Sequence, residues 1–193
     1  MNVQSPLIAF SNPYFQLTRN CLEELIKSGN SNYLRTNFDE NISKEDSDFA
    51  LKEKTKWSDY NVIQPILFNF YHSLELLMKG IIVLKNGKNS DKSHNLEKLF
   101  FKVSKIGINS PILLEKLEKY CLNEKGNNNP ISKFLKTNDE KPSNYIHYLK
   151  YPFNLDNKIF KYNDLRNLKQ DGIEMAKEIM LDIDIIRNEI SNI

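Results

Sequence analysis

A chain of 193 residues is long enough to bury one substantial core. Its 27% charged and 40% apolar residues are globular composition and exclude a disordered chain. A net charge of +2 excludes the molecule-wide attraction for nucleic acid or membrane that a strongly basic protein has.

The chain reads as helical almost throughout. Ser11 or Asn12 caps a first helix with Pro13 at its tolerated first position, and Tyr14, Leu17, Cys21 and Leu25 along one face. That helix stops near Gly29. Residues 30–58 are polar with few spaced apolar positions, so they read as a long loop with at most one helical turn, anchored by Trp57. A second helix runs from about Gln64 to Lys85, with Pro65 in its first turn and Gly87 after its end. It is apolar nearly all round, as the central helix of a bundle is. A third helix, Asn95 to Lys105, buries Leu96, Leu99, Phe100 and Val103. A fourth starts at the Ser110 cap and Pro111, and ends before Gly126.

Residues 127–162 change pattern. Tyr145, His147, Leu149, Tyr151 and Phe153 alternate with their neighbours, which predicts a small β-hairpin inserted before the last helix. The last helix is expected from Asp164 to the end. Its Leu165, Leu168, Gly172, Ala176, Ile179, Ile183, Ile186, Ile190 and Ile193 form an a/d seam, packed on the central helix, on another subunit, or on both. The expected architecture is therefore a single domain over residues 1–193, an all-α antiparallel helical bundle carrying a small β-hairpin.

Charge is distributed unevenly. Lysines crowd the stretch Lys79–Lys105, and acids crowd Asp164–Glu189, so the two regions attract each other inside one fold or the first forms a mild anion patch. Cys21 and Cys121 lie far apart with no CxxC pair, and read as free thiols. MNVQSPLIAF has neither the basic nor the apolar region of a signal peptide. No run approaches the roughly 18–20 apolar residues of a membrane span. The expectation is a cytoplasmic protein with no membrane contact.

Glycine-loop phosphate motifs and the GxSxG elbow are missing, and no histidine follows a Glu by three residues, so a carboxylate-bridged metal bundle cannot be built. The expectation is no metal and no cofactor. What stands out is Tyr71–Phe100. His72, Glu75 and Lys79 fall within roughly 60° of one another on an otherwise greasy helix, and a short polar loop then delivers His94 to the next helix. Charges are rarely buried unless paired, so this stripe is satisfied by partners, or faces a cleft or a second subunit.

His72–Gly80 fits the pattern His-Ser-hydrophobic-Glu-Leu-x-x-Lys-Gly, and His94–Leu99 fits His-x-Leu-x-x-Leu. In that order, and with the segment Leu149–Pro152 before the last helix, residues 62–105 and 145–193 resemble the HEPN superfamily (higher eukaryotes and prokaryotes nucleotide-binding domains). The resemblance implies an all-α bundle, often a homodimer through its final helices. It also implies a role with RNA or nucleotide in prokaryotic RNA-targeting, toxin–antitoxin or anti-phage systems, with a partner protein encoded nearby. Active ribonucleases of that family carry Arg, a polar residue, and then His on the last helix. The matching element here is Arg187, Asn188 and Asn192, with Asn192 where the His would stand. Metal-free RNA cleavage needs a base titrating near neutrality, which an Asn amide is not. The resemblance therefore implies binding with ribonuclease activity weak or lost.

The candidate binding set is His72, Glu75, Lys79, His94 and Tyr151, and Glu75, Lys79 and Arg187 are expected to converge in one cleft across a twofold axis. Plain structural alternatives stand beside it: a Glu75–Lys79 intrahelical pair, a His94 bonded to backbone, a solvated Arg187, and tyrosines packed on the bundle instead of stacking on bases. Two functional alternatives also remain open. One is a noncatalytic dimerisation or recruitment module, and the other an active metal-independent ribonuclease using His72 or His94.

Overall fold

The computed structural model describes residues 5–31, 43–87, 92–122, 129–154 and 156–191. Helices α1 (Pro6–Lys27), α2 (Lys44–Thr55), α3 (Asp59–Asn86), α4 (Leu96–Ile106), α5 (Pro111–Cys121), α6 (Pro130–Thr137), α7 (Tyr145–Lys150) and α8 (Gln170–Ile190) follow in order, with 3-10 turns at Pro142–Asn144 and Asn163–Leu165. The all-α class holds.

Five of these helices form a closed ring: α3 packs on α1, α1 on α8, α8 on α5, α5 on α4, and α4 on α3. Side-chain pairs fix three of the directions. Phe15 meets Phe70, and Tyr14 meets His72. Arg187 meets Gln16, and Arg19 meets Asp184. Ser110 meets Glu189, and Lys119 meets Glu178. In each case the numbers run oppositely, so these neighbours are antiparallel. The interior is filled from α3, whose Phe70, Tyr71, Leu74, Leu77, Met78 and Ile81 are buried. By length and composition the apolar stretch ending in α3 could cross a bilayer, contrary to the sequence expectation, but 72% of it is buried inside the bundle. It is the core rod. Gly80 lets α1 approach it closely, since a Cβ there would stand 2.7 Å from the Ile8 backbone nitrogen.

Both long helices start earlier than their prolines foretell. Pro13 and Pro65 lie inside α1 and α3. Each sits on the exposed face, and the carbonyl deprived of its donor four residues earlier belongs to exposed Ala9 or Asn61, where water can satisfy it. The loop expected over 30–58 holds a three-turn helix, α2, that buries no residue. It is stabilised locally instead. Ser43 accepts from the Asp46 amide, Glu45 and Asp46 lie at its positive end, and Lys52 and Lys54 at its negative end.

The start of the expected β-hairpin, Tyr145–Lys150, is helix α7 instead. Tyr145, Tyr148 and Leu149 are buried on one side of α7, a three–four spacing that competes with the period-2 reading of the same residues. A single antiparallel bridge, Phe153 with Ile159, is the one element of β-structure among the described residues. The last helix starts at Gln170 and not at Asp164, because residues 166–169 are clamped in a sharp turn. The Asp59 carboxylate accepts from the amides of Asn167 and Leu168, both at 2.8 Å, and from Asn30 Nδ2, also at 2.8 Å. Asn167 and Lys169 adopt positive φ there, which ends any helix. From Gly172 to Ile190 the seam is as expected, and Ile193 lies outside the described residues. Gly172, Ala176, Ile179, Ile183, Ile186 and Ile190 are buried, against neighbours in the same chain, chiefly α1 and α5.

Candidate functional site

Helix α3 places His72, Glu75 and Lys79 on the side covered by α7 and by the start of α4. Glu75 is the hub. Its Oε1 accepts from Lys79 Nζ at 2.7 Å and pairs with His94 Nδ1 at 2.9 Å, while Oε2 accepts from the Tyr145 hydroxyl at 2.6 Å. The Glu75 side chain is 2% exposed and that of Lys79 is 10%, whereas His94 is 63% exposed. Burial alone would raise the Glu75 carboxyl. The bonds from Lys79 and Tyr145, with the nearby Lys79 and His94 charges, outweigh it and hold the group below its ordinary range.

His72 lies at the edge of this hub, with Nδ1 3.4 Å from the Tyr145 oxygen. The hydroxyl proton goes to Glu75, so the oxygen remains free to accept from a neutral His72. Its ring packs edge-on against Tyr14 at 4.8 Å and stacks with Phe68 at 6.1 Å. Burial, the largest influence, lowers the His72 pKa; Glu75 opposes it, and Lys79 and His94 each add a smaller lowering. It is therefore a neutral imidazole at pH 7. Burial and the bond to Glu75 both push the Tyr145 phenol far up, so it stays a donor.

Arg187 is elsewhere in the chain. It lines a groove of about 580 Å³ with Asn12, Asp184, Asn188, Ile190 and Ser191. Its Nη1 donates to Gln16 Oε1 at 2.8 Å. Asp184 in the same groove is engaged by Arg19 Nε at 3.0 Å, and among the described residues Arg187 forms no ion pair. The sequence-predicted set thus divides. His72, Glu75, Lys79 and His94 meet; Arg187 and Asn188 share a second surface made with α1; Tyr151 is exposed beyond α7. Asn192 lies outside the described residues. The single cleft expected from the sequence is not formed within one chain.

Four participants escaped the sequence reading. Tyr145 read as a hairpin tyrosine and is the hydrogen-bond donor to Glu75. Gln16 and Asn12, which frame Arg187, carry no sequence signal of that role. Asp182 carries one: it is an acid on the seam side of α8, between Ile179 and Ile183. It is buried, accepts from Tyr120 at 2.7 Å, and pairs with Lys116 at 3.1 Å and with Lys119. Among the described residues no three His, Cys, Asp or Glu side chains converge as metal ligands.

Comparison with family models, with curated proteins and with solved structures returned no match to this chain. The functional argument therefore stands on the residues themselves.

Chemically, the Glu75 hub is satisfied from within. Each carboxylate oxygen has its donors, and the buried ammonium has its acceptor. The Arg187 groove differs, because its cation is held by a neutral amide and most of its guanidinium donors remain for a ligand.

Proposed function

We propose that this chain is a HEPN-like helical subunit of a prokaryotic RNA-targeting, anti-phage or toxin–antitoxin-type system. It binds RNA or nucleotide through the groove around Arg187, and its ribonuclease activity is weak or lost. The observation that carries this reading is the Arg187 guanidinium, lining a groove with Gln16 as its hydrogen-bond partner among the described residues and Asp184 diverted to Arg19. A planar fork with free donors suits a phosphate. A weak or lost activity is in keeping with the groove's lining: Asn12, Asn188 and Ser191 are not bases near pH 7, and the Asp184 carboxylate is engaged by Arg19. The protein acts in the cytoplasm in this reading, as a homodimer in which the last helix lies near the twofold axis.

The test is binding of labelled single-stranded RNA in chelator, with Arg187→Ala beside the wild type. Loss of a charge-assisted phosphate contact weakens binding roughly tenfold or more, and neither protein cleaves the RNA. Equal affinity of the two proteins removes Arg187 from the site. Cleavage abolished by His94→Ala, but not by Arg187→Ala, would instead place a base at the Glu75 hub.

A recruitment reading draws on a separate feature. Helix α2 is 12 residues long and buries none of them, with Phe49 exposed. A helix of that length is marginal in water without tertiary support, so a partner protein seated on Phe49 would stabilise it.

A further inference from the structure

Between residues 150 and 162, Tyr151, Phe153 and Ile159 are exposed over a well-packed footing. Phe160 is buried, and Tyr162 stacks on Phe134 at 5.4 Å and donates to the Tyr148 carbonyl at 2.6 Å. Above it, the Phe160 amide donates to the Pro152 carbonyl at 3.0 Å. The Asn154 side chain closes the turn, accepting from the amides of Asp156 at 3.0 Å and Lys158 at 2.8 Å. The tip is therefore internally braced.

Directly opposed residues of an antiparallel bridge share a face, so Phe153 and Ile159 stand side by side. Tyr151 is extended and lies two residues before Phe153, with the bend at Pro152 between them. Tyr151 and Phe153 are each 49% exposed, and Ile159 is 69% exposed. Around them lie Lys150, Lys158 and Lys161, with Asp156 the one acid between residues 150 and 161. The Lys150 ammonium is 5.3 Å from the Tyr151 ring centroid, and none of these lysines forms an ion pair among the described residues.

Exposed rings bordered by unpaired cations complement a polyanion with flat apolar faces. We propose that this tip is a docking surface for single-stranded RNA, with Tyr151 and Phe153 stacking on bases and Lys150, Lys158 and Lys161 facing phosphates. Anionic vesicles, which offer negative charge without flat bases, are the contrasting arm of the test. The proposal rests on the reading that the chain binds RNA, but it uses residues apart from the Arg187 groove.

The full chain is titrated against a labelled oligouridylate of about 12 nucleotides by fluorescence anisotropy, at about 50 mM and about 200 mM salt. Tyr151→Ala/Phe153→Ala weakens binding by roughly 30-fold or more with the salt slope kept. Lys158→Gln/Lys161→Gln lowers the slope by about 1.4. Tyr151→Trp keeps affinity, and its emission is quenched by RNA, which a purely ionic patch would not produce. Matching circular dichroism melts show that the variants fold.

If the wild type binds and Arg187→Ala alone weakens it, the tip proposal fails and the Arg187 reading stands. If the tip variants alone weaken binding, the tip stands without the groove. No RNA binding by the wild type overturns both. Tip variants that lose only anionic vesicles, or only a co-purifying protein, overturn the nucleic-acid assignment.

Discussion

Removing the charge of Glu75 while keeping its shape tests whether the hub is a sealed ion pair. In Glu75→Gln, Lys79 stays in a site where its side chain is 10% exposed, and its carboxylate partner at 2.7 Å becomes a neutral amide. The new amide nitrogen also faces donors from Tyr145 or from Lys79 and His94. Breaking a buried pair by removing one partner costs about 3–5 kcal/mol. For a chain of this length that corresponds to a Tm lower by roughly 6–20 °C. Adding Lys79→Met removes the stranded ammonium, so the double variant recovers most of the loss and the cycle is strongly non-additive. Urea unfolding of the four proteins at pH 7 supplies all the numbers. A Glu75→Gln cost below about 1 kcal/mol, with additive behaviour, would mean that Lys79 reaches water and that the hub is an ordinary surface pair.

Gly80→Ala and Gly172→Ala should both destabilise by about 1–3 kcal/mol in the same unfolding assay, although Gly→Ala inside a helix normally gains about 1 kcal/mol. Their added Cβ atoms would stand 2.5 Å from Ile8 Cγ1 and 2.5 Å from Asn30 Nδ2 respectively. His72 has a folded pKa below its unfolded value, so the unfolded chain binds its proton first as pH falls. Its contribution is whole above about pH 6.5 and shrinks below it, and His72→Phe should flatten the urea midpoint in that window. The depressed Glu75 and Asp182 carboxyls act lower. Their stabilisation is present above about pH 4.5 and is lost as pH falls through their folded pKa values. Glu75→Gln and Asp182→Asn should each reduce the steepness of acid unfolding.

What was legible in the sequence is what local chemistry decides. The caps at Asn95 and Ser110 accept from the Lys98 and Leu113 amides as their residue types foretell, and Gly87 ends α3 in the left-handed region. The Glu75 stripe was visible because charges at three–four spacing interrupt an apolar helix. Other features depended on solvent or on distant partners. Whether Pro13 and Pro65 start a helix or sit inside one turns on whether the carbonyl four residues back reaches water. Residues 145–149 satisfy both a period of two and a three–four spacing, and only packing on α3 chooses the helix. The clamp of Asp59 on residues 167 and 168 joins positions more than a hundred residues apart. Asp182 interrupts the α8 seam as Glu75 interrupts α3, and the same test would have found it.

Glu75 and Asp182 solve one problem in one way. Each is a buried carboxylate on a core helix, and each takes a lysine and a tyrosine hydroxyl. Asp182 draws its partners from α5 and so ties α5 to α8. Glu75 draws on its own helix, on α7 and on the start of α4, and so pins the smaller elements to the central rod. A carboxylate that accepts from several elements at once loses all those bonds if any one shifts register, which makes each hub a lock on packing. That use leaves neither carboxylate free to act as a base. Arg187 and, at the tip, Lys150, Lys158 and Lys161 are among the cations that meet no acid in the described residues; Arg187 lines a groove, and the tip lysines flank exposed rings. With Glu75 and Asp182 bound up inside the fold, recognition of an anion falls to surfaces of this kind.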